Sequence, residues 1–232
     1  MPNELLLIIS LAASYCLMLV AYKLFGKKGL FVWIPVCTIL ANIEVTGLVN
    51  AFGLEQTLGN TLFASSYLAT DILSERHGKK DASKAVWAGI FTTVCFIFFS
   101  FMWQLYSASE NDWAFEHIHA LFSNTPRMLL ASLAGYAVSE ILDVKLYHAW
   151  WSFTEKKTGN KESFLWVRNN GSTLVSQFVN IVIFNFGAFI GVYDFPTLFS
   201  ITGACYLIYV FTSLLDTPFI YIARHMKIAE ED

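Results

Sequence analysis

Apolar residues in this chain recur in uninterrupted runs of about twenty, the length a helix rising 1.5 Å per residue needs to cross a hydrocarbon core ~30 Å thick. Windows of this kind predict spans near 5–24, 30–53, 57–75, 84–106, 127–148, 170–192 and 197–222. The expected fold is therefore all-α and integral to a membrane: a polytopic bundle of seven transmembrane helices. Two connections are long, 107–126 and 149–169. The first sets Ala114, Ile118, Leu121 and Phe122 on one helical face beside Trp113 and Phe115, which predicts an interfacial helix.

Composition agrees, with 56% hydrophobic, 16% aromatic and 14% charged residues, against about a quarter charged in soluble domains. The net charge of −3 decides nothing, but the placement of the 15 Lys and Arg does. Lys23, Lys27 and Lys28, then Arg76, Lys79, Lys80 and Lys84, then Lys145, Lys156, Lys157, Lys161 and Arg168, then Arg224 and Lys227 fall on one side of the seven-span scheme. Arg127 alone falls on the other, with Glu55, Glu110, Asp112, Glu116 and Asp194. By the positive-inside rule the N-terminus is expected outside and the C-terminus in the cytoplasm. The first helix has its lysines after the apolar stretch, so it is expected to stay as a span and not to be cleaved as a signal peptide. Cys16, Cys37, Cys95 and Cys205 are scattered one per apolar run and read as small buried apolar residues.

The informative residues are the ionisable and amide side chains inside the spans, because a charge at the bilayer centre costs ~2.5 kcal/mol or more. They are Asn42, Glu44 and Asn50 in the second span, Asp71 and Glu75 in the third, Glu140 and Asp143 in the fifth, Gln177, Asn180 and Asn185 in the sixth, and Asp216 in the seventh. No Lys or Arg lies at comparable depth. Counting 1.5 Å per residue, Asp71 and Glu140 fall ~20 Å below the outer boundary, and Gln177 and Asn180 fall ~12 and ~17 Å above the inner one. These depths overlap, so three helices are expected to bring acceptors to one level in the cytoplasmic half, as a polar cavity for a small ligand requires. Interhelical hydrogen bonding that only holds the bundle together is the competing reading.

Spacing sharpens the cluster. Asp71 and Glu75 are i,i+4, and Glu140, Asp143 and Tyr147 share a stripe. Ser172, Ser176 and Asn180 with Thr173 and Gln177 make a polar stripe on the sixth span, and Asn42, Thr46 and Asn50 one on the second. Glu44 points away from that stripe and needs a proton or its own partner. Tyr67-Leu-Ala-Thr70-Asp71-Ile72-Leu73 is echoed by Tyr136-Ala-Val-Ser139-Glu140-Ile141-Leu142 at an offset of 69 residues. Small residues at Ala64-Ser65-Ser66, Ala131-Ser132 and Ala134-Gly135 allow helices to approach closely. His117 and His119 lie two apart on a helix and diverge by about 200°, which disfavours a metal site. No nucleotide-binding P-loop, HExxH or GxSxG occurs, so no cofactor and no metal is expected, and any uphill work needs an ion gradient or another subunit.

The motifs Leu68-Ala69-Thr70-Asp71-Ile72-Leu73-Ser74-Glu75-Arg76-His77-Gly78-Lys79-Lys80 and Ser139-Glu140-Ile141-Leu142-Asp143, followed by Arg168, Ser172, Ser176-Gln177 and Asn180, resemble the queuosine precursor transporter family of bacterial vitamin-uptake-type membrane proteins. The resemblance runs over roughly residues 30–222. It implies a six-helix core, 30–223, preceded by an additional helix and basic loop, 1–29, and followed by a short cytoplasmic tail, 224–232. It implies import of a 7-deazaguanine base through the bacterial cytoplasmic (inner) membrane for tRNA modification, with no direct contact to nucleic acid and no enzymatic step. A substrate-binding subunit working with a separate ATPase module is the alternative, and oligomeric state stays open.

The ring edge of such a base suits a carboxylate acceptor and aromatic stacking. The candidate substrate-binding residues are Asn42, Asp71, Glu140, Asp143, Gln177 and Asn180, with Tyr67, Tyr136 or Phe184 for stacking. Glu75 and Arg168 are candidates for a cytoplasmic gate or coupling. Asn180 stands where relatives commonly carry Asp. An intramembrane enzyme using Glu140 and Asp143 as acid and base, and a purely structural membrane protein, are the remaining classes.

Overall fold

The computed structural model describes residues 2–123 and 126–228, so the tail residues 229–232 lie outside the described residues. The elements in order are α1 (Asn3–Glu44), β1 (Leu48–Ala51), β2 (Leu54–Thr57), α2 (Asn60–His77), α3 (Lys79–Gln104), α4 (Phe115–Phe122), α5 (Pro126–Thr158), α6 (Leu165–Phe189) and α7 (Phe195–His225). Four of these, α1, α3, α6 and α7, are long and apolar enough to cross a membrane. The fold is thus that of a helical membrane protein, apart from one hairpin.

At 42 residues α1 would be ~63 Å long if straight, twice a hydrocarbon core. It bends at Gly26, where φ 57 and ψ −145 are open to glycine and strained for any other residue. The two limbs fold back on one another, so Asn3 Nδ2 donates to the Asn50 carbonyl at 2.9 Å and Glu4 Oε1 accepts from the Phe52 amide at 3.1 Å. The first limb docks through Tyr15, whose hydroxyl donates to the Thr212 carbonyl of α7 at 3.3 Å and whose ring lies 5.0 Å from Phe219. Cys16, expected to be buried, faces outward from this limb.

The apolar run 30–53 does not continue as one helix. α1 stops at Glu44, and Leu48–Ala51 pairs antiparallel with Leu54–Thr57 across a two-residue Phe52-Gly53 turn with φ 55 and 73. Both central residues at positive φ make a turn whose twist suits a hairpin. Val45, Thr46 and Val49 are β-branched and disfavour helix beside Gly47, so hydropathy alone misjudged this segment. Asn50 therefore leaves the stripe it was expected to share with Asn42 and sits exposed on β1.

α2 and α5 are central. Every residue of α2 from Phe63 to Ser74 is buried, so this helix is enclosed by protein on all sides and can carry Ser, Thr and Asp where a lipid-facing helix cannot. α5 and α6 make the most extensive contact of any pair. A Cβ on Gly135 would come within 2.5 Å of Asn180 Oδ1, and one on Gly187 within 2.9 Å of Ala131 Cβ, so these positions let the two backbones approach. The expected long connection 149–169 shrinks to 159–164, because α5 runs on through Trp150, Trp151 and Phe153 until Gly159, φ 68, ends it. The expected interfacial helix is present as α4, with no fully buried residue, held through Phe122 against Phe96 and Trp103 at 5.8 and 5.0 Å.

The bundle has two distinguishable ends: the hairpin end, with the start of α1 and the tight α6–α7 connection, and the basic end, with Arg76, Arg168 and Arg224. Arg127 stands at the hairpin end and donates to the Gly187 and Ile190 carbonyls at 2.7 and 2.6 Å, capping α6. Replacing Gly26 by Ala is expected to lower stability by about 1–3 kcal/mol, the cost of holding a Cβ in this backbone region. Unfolding titrations in detergent micelles measure it, and an unchanged midpoint would mean that the bend is not fixed by this residue.

Candidate functional site

Polar residues of the bundle interior fall into three layers. Nearest the hairpin lies a cavity of about 340 Å³ bounded by the ends of α1, α2, α5, α6 and α7. Its polar lining includes Thr46, Asn60, Ser132, Tyr136, Asn180, Asn185 and Tyr209, and its aromatic walls include Phe63, Phe184 and Phe189. Several of these are held in place by neighbours. Tyr209 donates to Asn60 Oδ1 at 3.1 Å, Asn185 Nδ2 donates to Thr202 Oγ1 at 3.1 Å, and Ser132 donates to Asn42 Oδ1 at 3.5 Å. Asn42 itself is pinned by its amide to the Thr38 carbonyl at 2.8 Å. Asn180 is half-buried, and its side chain makes no hydrogen bond to any described residue, which leaves both amide atoms for a ligand.

The Tyr136 ring contributes to the cavity lining, while its hydroxyl points the other way, into space that Gly89 of α3 leaves by lacking a Cβ. A methyl group there would overlap the hydroxyl and stand 3.0 Å from Ile34 Cγ2. The position of that ring is thus set by a glycine on a different helix.

Beneath the cavity is a buried layer of acids. Asp71, Glu140 and Asp143 are all 0% exposed. Glu140 accepts from Ser66 at 2.7 Å and from Thr70 at 3.2 Å; Asp71 accepts from Thr173 at 3.2 Å; Asp143 accepts from Ser176 at 2.7 Å. Asp216 of α7 accepts from Asn169 Nδ2 at 2.7 Å. Thr173 and Ser176, the donors to Asp71 and Asp143, stand three residues apart on one face of α6, which brings these two carboxyl groups side by side. Tyr67 is fully buried here, its hydroxyl 2.5 Å from Ser139, so the two echoing segments lie side by side in space. Gln177 is buried with its Oε1 unpartnered.

At the basic end an ion pair shuts the column. Arg168, 0% exposed, forks onto Glu75 through Nε and Nη2 at 2.9 and 2.6 Å. Tyr147 donates to the same carboxylate at 2.8 Å, and Arg224 Nε stands 3.7 Å from it. Arg168 also lies 4.4 Å from the Trp151 ring centroid and donates to the Ser163 carbonyl at 3.0 Å. Arg76 reaches across to the Arg224 carbonyl. This bidentate, stacked geometry is the strong form of a carboxylate pair.

The expected single-level cluster is thus divided. Tyr136, Asn180 and Phe184 line the cavity and Asn42 buttresses it, whereas Tyr67, Asp71, Glu140, Asp143 and Gln177 are packed below. The cause is the start of α6 at Leu165, five residues before the predicted span: Asn180 lies ~22 Å along that helix, but Asp71 only ~9 Å from the end of α2. Asn60 and Tyr209 were missed because each is a single polar residue, one at a helix start and the other on an apolar helix, with no partner nearby in sequence. Asn185 was visible only as an isolated intramembrane amide. Among the described residues no group of His, Cys, Asp and Glu is placed to hold a metal ion.

A sequence-family model described as "Putative vitamin uptake transporter" matches residues 57–223. The chain is 37% identical over 212 residues to a protein of Bacillus subtilis (strain 168) named "Probable queuosine precursor transporter", covering 91% of this chain and 90% of that protein. It is 27% identical over 132 residues to a protein of the same name from Haemophilus influenzae, covering 54% of each. No solved structure matches the chain. Both relatives carry the name of a transporter, a non-enzymatic role.

Breaking the basic-end pair from one side is expected to be costly. Glu75→Leu leaves Arg168 buried without its partner and should lower stability by about 3–5 kcal/mol. The double variant Glu75→Leu/Arg168→Leu should lose less than Glu75→Leu alone, since no charge is then stranded. Unfolding in micelles measures both, and a double variant weaker than either single one would contradict the coupling.

Proposed function

Because the chain belongs to the queuosine precursor transporter family, we propose that it carries a 7-deazaguanine base across the bacterial cytoplasmic membrane for salvage into tRNA. The candidates are the 7-cyano base, the 7-aminomethyl base and queuine. In this reading the chain crosses the bilayer seven times, with the hairpin end and N-terminus outside and the basic end and C-terminus in the cytoplasm. The support is the segregation of Arg76, Arg168, Arg224 and their neighbouring lysines from Arg127. The limb before Gly26 is an addition to a core formed by residues 30–223, in keeping with its docking on α7 through Tyr15.

The observation that carries the reading is the cavity itself. Its volume of about 340 Å³ suits a small fused-ring base. Aromatic faces and amide edges together are what a flat, polar-edged heterocycle needs. The base stacks against Tyr136 or Phe184 and pairs its edge with Asn180, whose amide offers both a donor and an acceptor. Glu140 lies one helical turn from Tyr136, on the side of the basic end. Once the Glu75–Arg168 lock parts, Glu140 can exchange the Ser66 and Thr70 hydroxyls for the N1–H and exocyclic NH2 of the base, with Gln177 and Tyr67 beside it. Glu75 and Arg168 are then the gate.

A substrate-binding subunit served by a separate ATPase module would use the same cavity. Uptake by the purified chain alone in liposomes with a proton gradient excludes that arrangement.

Expression of this chain in a host unable to make queuosine precursors, fed each base separately, should restore queuosine in tRNA with at least one of them. Asn180→Ala and Phe184→Ala should each raise the concentration for half-maximal uptake by about tenfold, because an unpaired polar edge or a lost stacking partner costs ~1–3 kcal/mol. No restoration with any base would overturn the substrate class, and unchanged uptake in both variants would remove the cavity from the pathway.

A further inference from the structure

We propose that Asp71 and Asp143 hold one exchangeable proton between them, and that this pair couples the carrier to a proton gradient. The inference rests on the transport reading above but concerns different atoms from those that line the cavity.

Each of the two carboxyl groups has one oxygen engaged by a hydroxyl of α6. Thr173 serves Asp71 Oδ2 and Ser176 serves Asp143 Oδ1, at 3.2 and 2.7 Å. The remaining oxygens, Asp71 Oδ1 and Asp143 Oδ2, are fully buried and have no hydrogen-bond donor. An ionised carboxylate accepts only, so two ionised groups held by neighbouring hydroxyls of one helix face leave both orphan oxygens desolvated, and the two charges repel. One proton between them converts the pair into a donor and an acceptor and satisfies both oxygens at once. This is the arrangement that two adjacent carboxylates adopt when they cannot both ionise.

The surroundings offer no other neutralising charge. From α2 the further titratable groups are Tyr67 and Glu75, each four residues from Asp71, and from α5 they are Glu140 and Tyr147. From α6 it is Arg168, which is committed to Glu75 through two hydrogen bonds. From α7 it is Asp216, which takes the Asn169 amide. The buried face of α1 brings Tyr15, Tyr22 and Cys37, and the buried face of α3 brings no titratable side chain. Among the described residues no Lys enters the layer. A net change of charge here is therefore a change in bound protons.

The coupling step balances simply. With the hairpin end open, a proton from outside forms an O–H bond on the pair. With the basic end open, that bond breaks and the proton leaves to the cytoplasm, while the base makes the same crossing. Tyr147, hydrogen-bonded to Glu75 at 2.8 Å, stands between the acid layer and the lock. The pair thus senses the same opening that releases the base.

The test uses the full chain in proteoliposomes with a pH-sensitive dye inside and radiolabelled 7-aminomethyl-7-deazaguanine, 7-cyano-7-deazaguanine or queuine as probe. Exchange of labelled for unlabelled base without any gradient tests transport alone, and its absence with every probe defeats the transport reading. With exchange present, adding base outside should acidify the lumen, and a sodium gradient should have no effect. Asp71→Asn and Asp143→Asn replace the shared proton by an amide hydrogen that satisfies the remaining carboxylate and is not released, so each should abolish acidification. Each should also remove one component of the infrared carbonyl band of protonated carboxylic acids in the unaltered protein, a component that Glu140→Gln and Asp216→Asn leave in place. That band reports the proton whether or not a variant transports, and size-exclusion profiles report folding. Exchange without acidification, accumulation driven by sodium, or a carbonyl band unchanged in both variants overturns the proposal.

Discussion

Four carboxylic acids, Asp71, Glu140, Asp143 and Asp216, are buried in the middle of this bundle with no Lys or Arg among them. In a medium without water every such group must find donors or a proton, and the architecture follows from where those donors come from. Ser66 and Thr70 on α2, Thr173 and Ser176 on α6, and Asn169 beside them supply hydroxyl and amide hydrogens. α2, buried all round from Phe63 to Ser74, is enclosed by the other helices, while α1, α3, α6 and α7 keep their polar residues inward and turn large apolar side chains outward. The cation that does enter the interior, Arg168, is stationed at the basic end, where Glu75 matches it.

The same constraint separates the functions of the two halves. Amides and hydroxyls above the acids can exchange partners with a solute at modest cost, because they are neutral. The acids below can do so only if charge is conserved, through a bound base or a proton. Close packing makes this division geometrically sharp: Gly135 admits Asn180 to the face of α5, and Gly89 admits the Tyr136 hydroxyl, so the ring above the acid layer is fixed by two missing side chains. A column with a cavity at one end and an ion pair at the other is asymmetric along its length.

Much of this was legible in the sequence. The long apolar runs marked the membrane class, the Asp71, Glu140 and Asp143 spacings marked the polar interior, and Glu75 and Arg168 were singled out before their ion pair was seen. The hairpin was hidden because Leu48, Val49, Ala51, Phe52 and Leu54 are as apolar as any helix, and only Gly47 and Gly53 signal a turn. Depth counting failed for Asn180 because a helix can extend past the bilayer boundary: α5 and α6 prolong one another into the basic end, and this moves every residue of α6 relative to Asp71. Tyr209 and Asn60 lie 149 positions apart, so the hydrogen bond that sets one wall of the cavity exists only in the fold.

The central claim is that the solute first occupies the cavity under the hairpin while the acid layer stays shut. Accessibility measured with a membrane-impermeant thiol reagent applied from outside tests this directly, using single cysteines placed at Ser132 and at Ser176 in a chain lacking Cys16, Cys37, Cys95 and Cys205. The account predicts rapid labelling of Ser132→Cys, slowed by added 7-deazaguanine base, and no labelling of Ser176→Cys. Labelling of Ser176→Cys from outside, or labelling of Ser132→Cys that the base leaves unaffected, would contradict it.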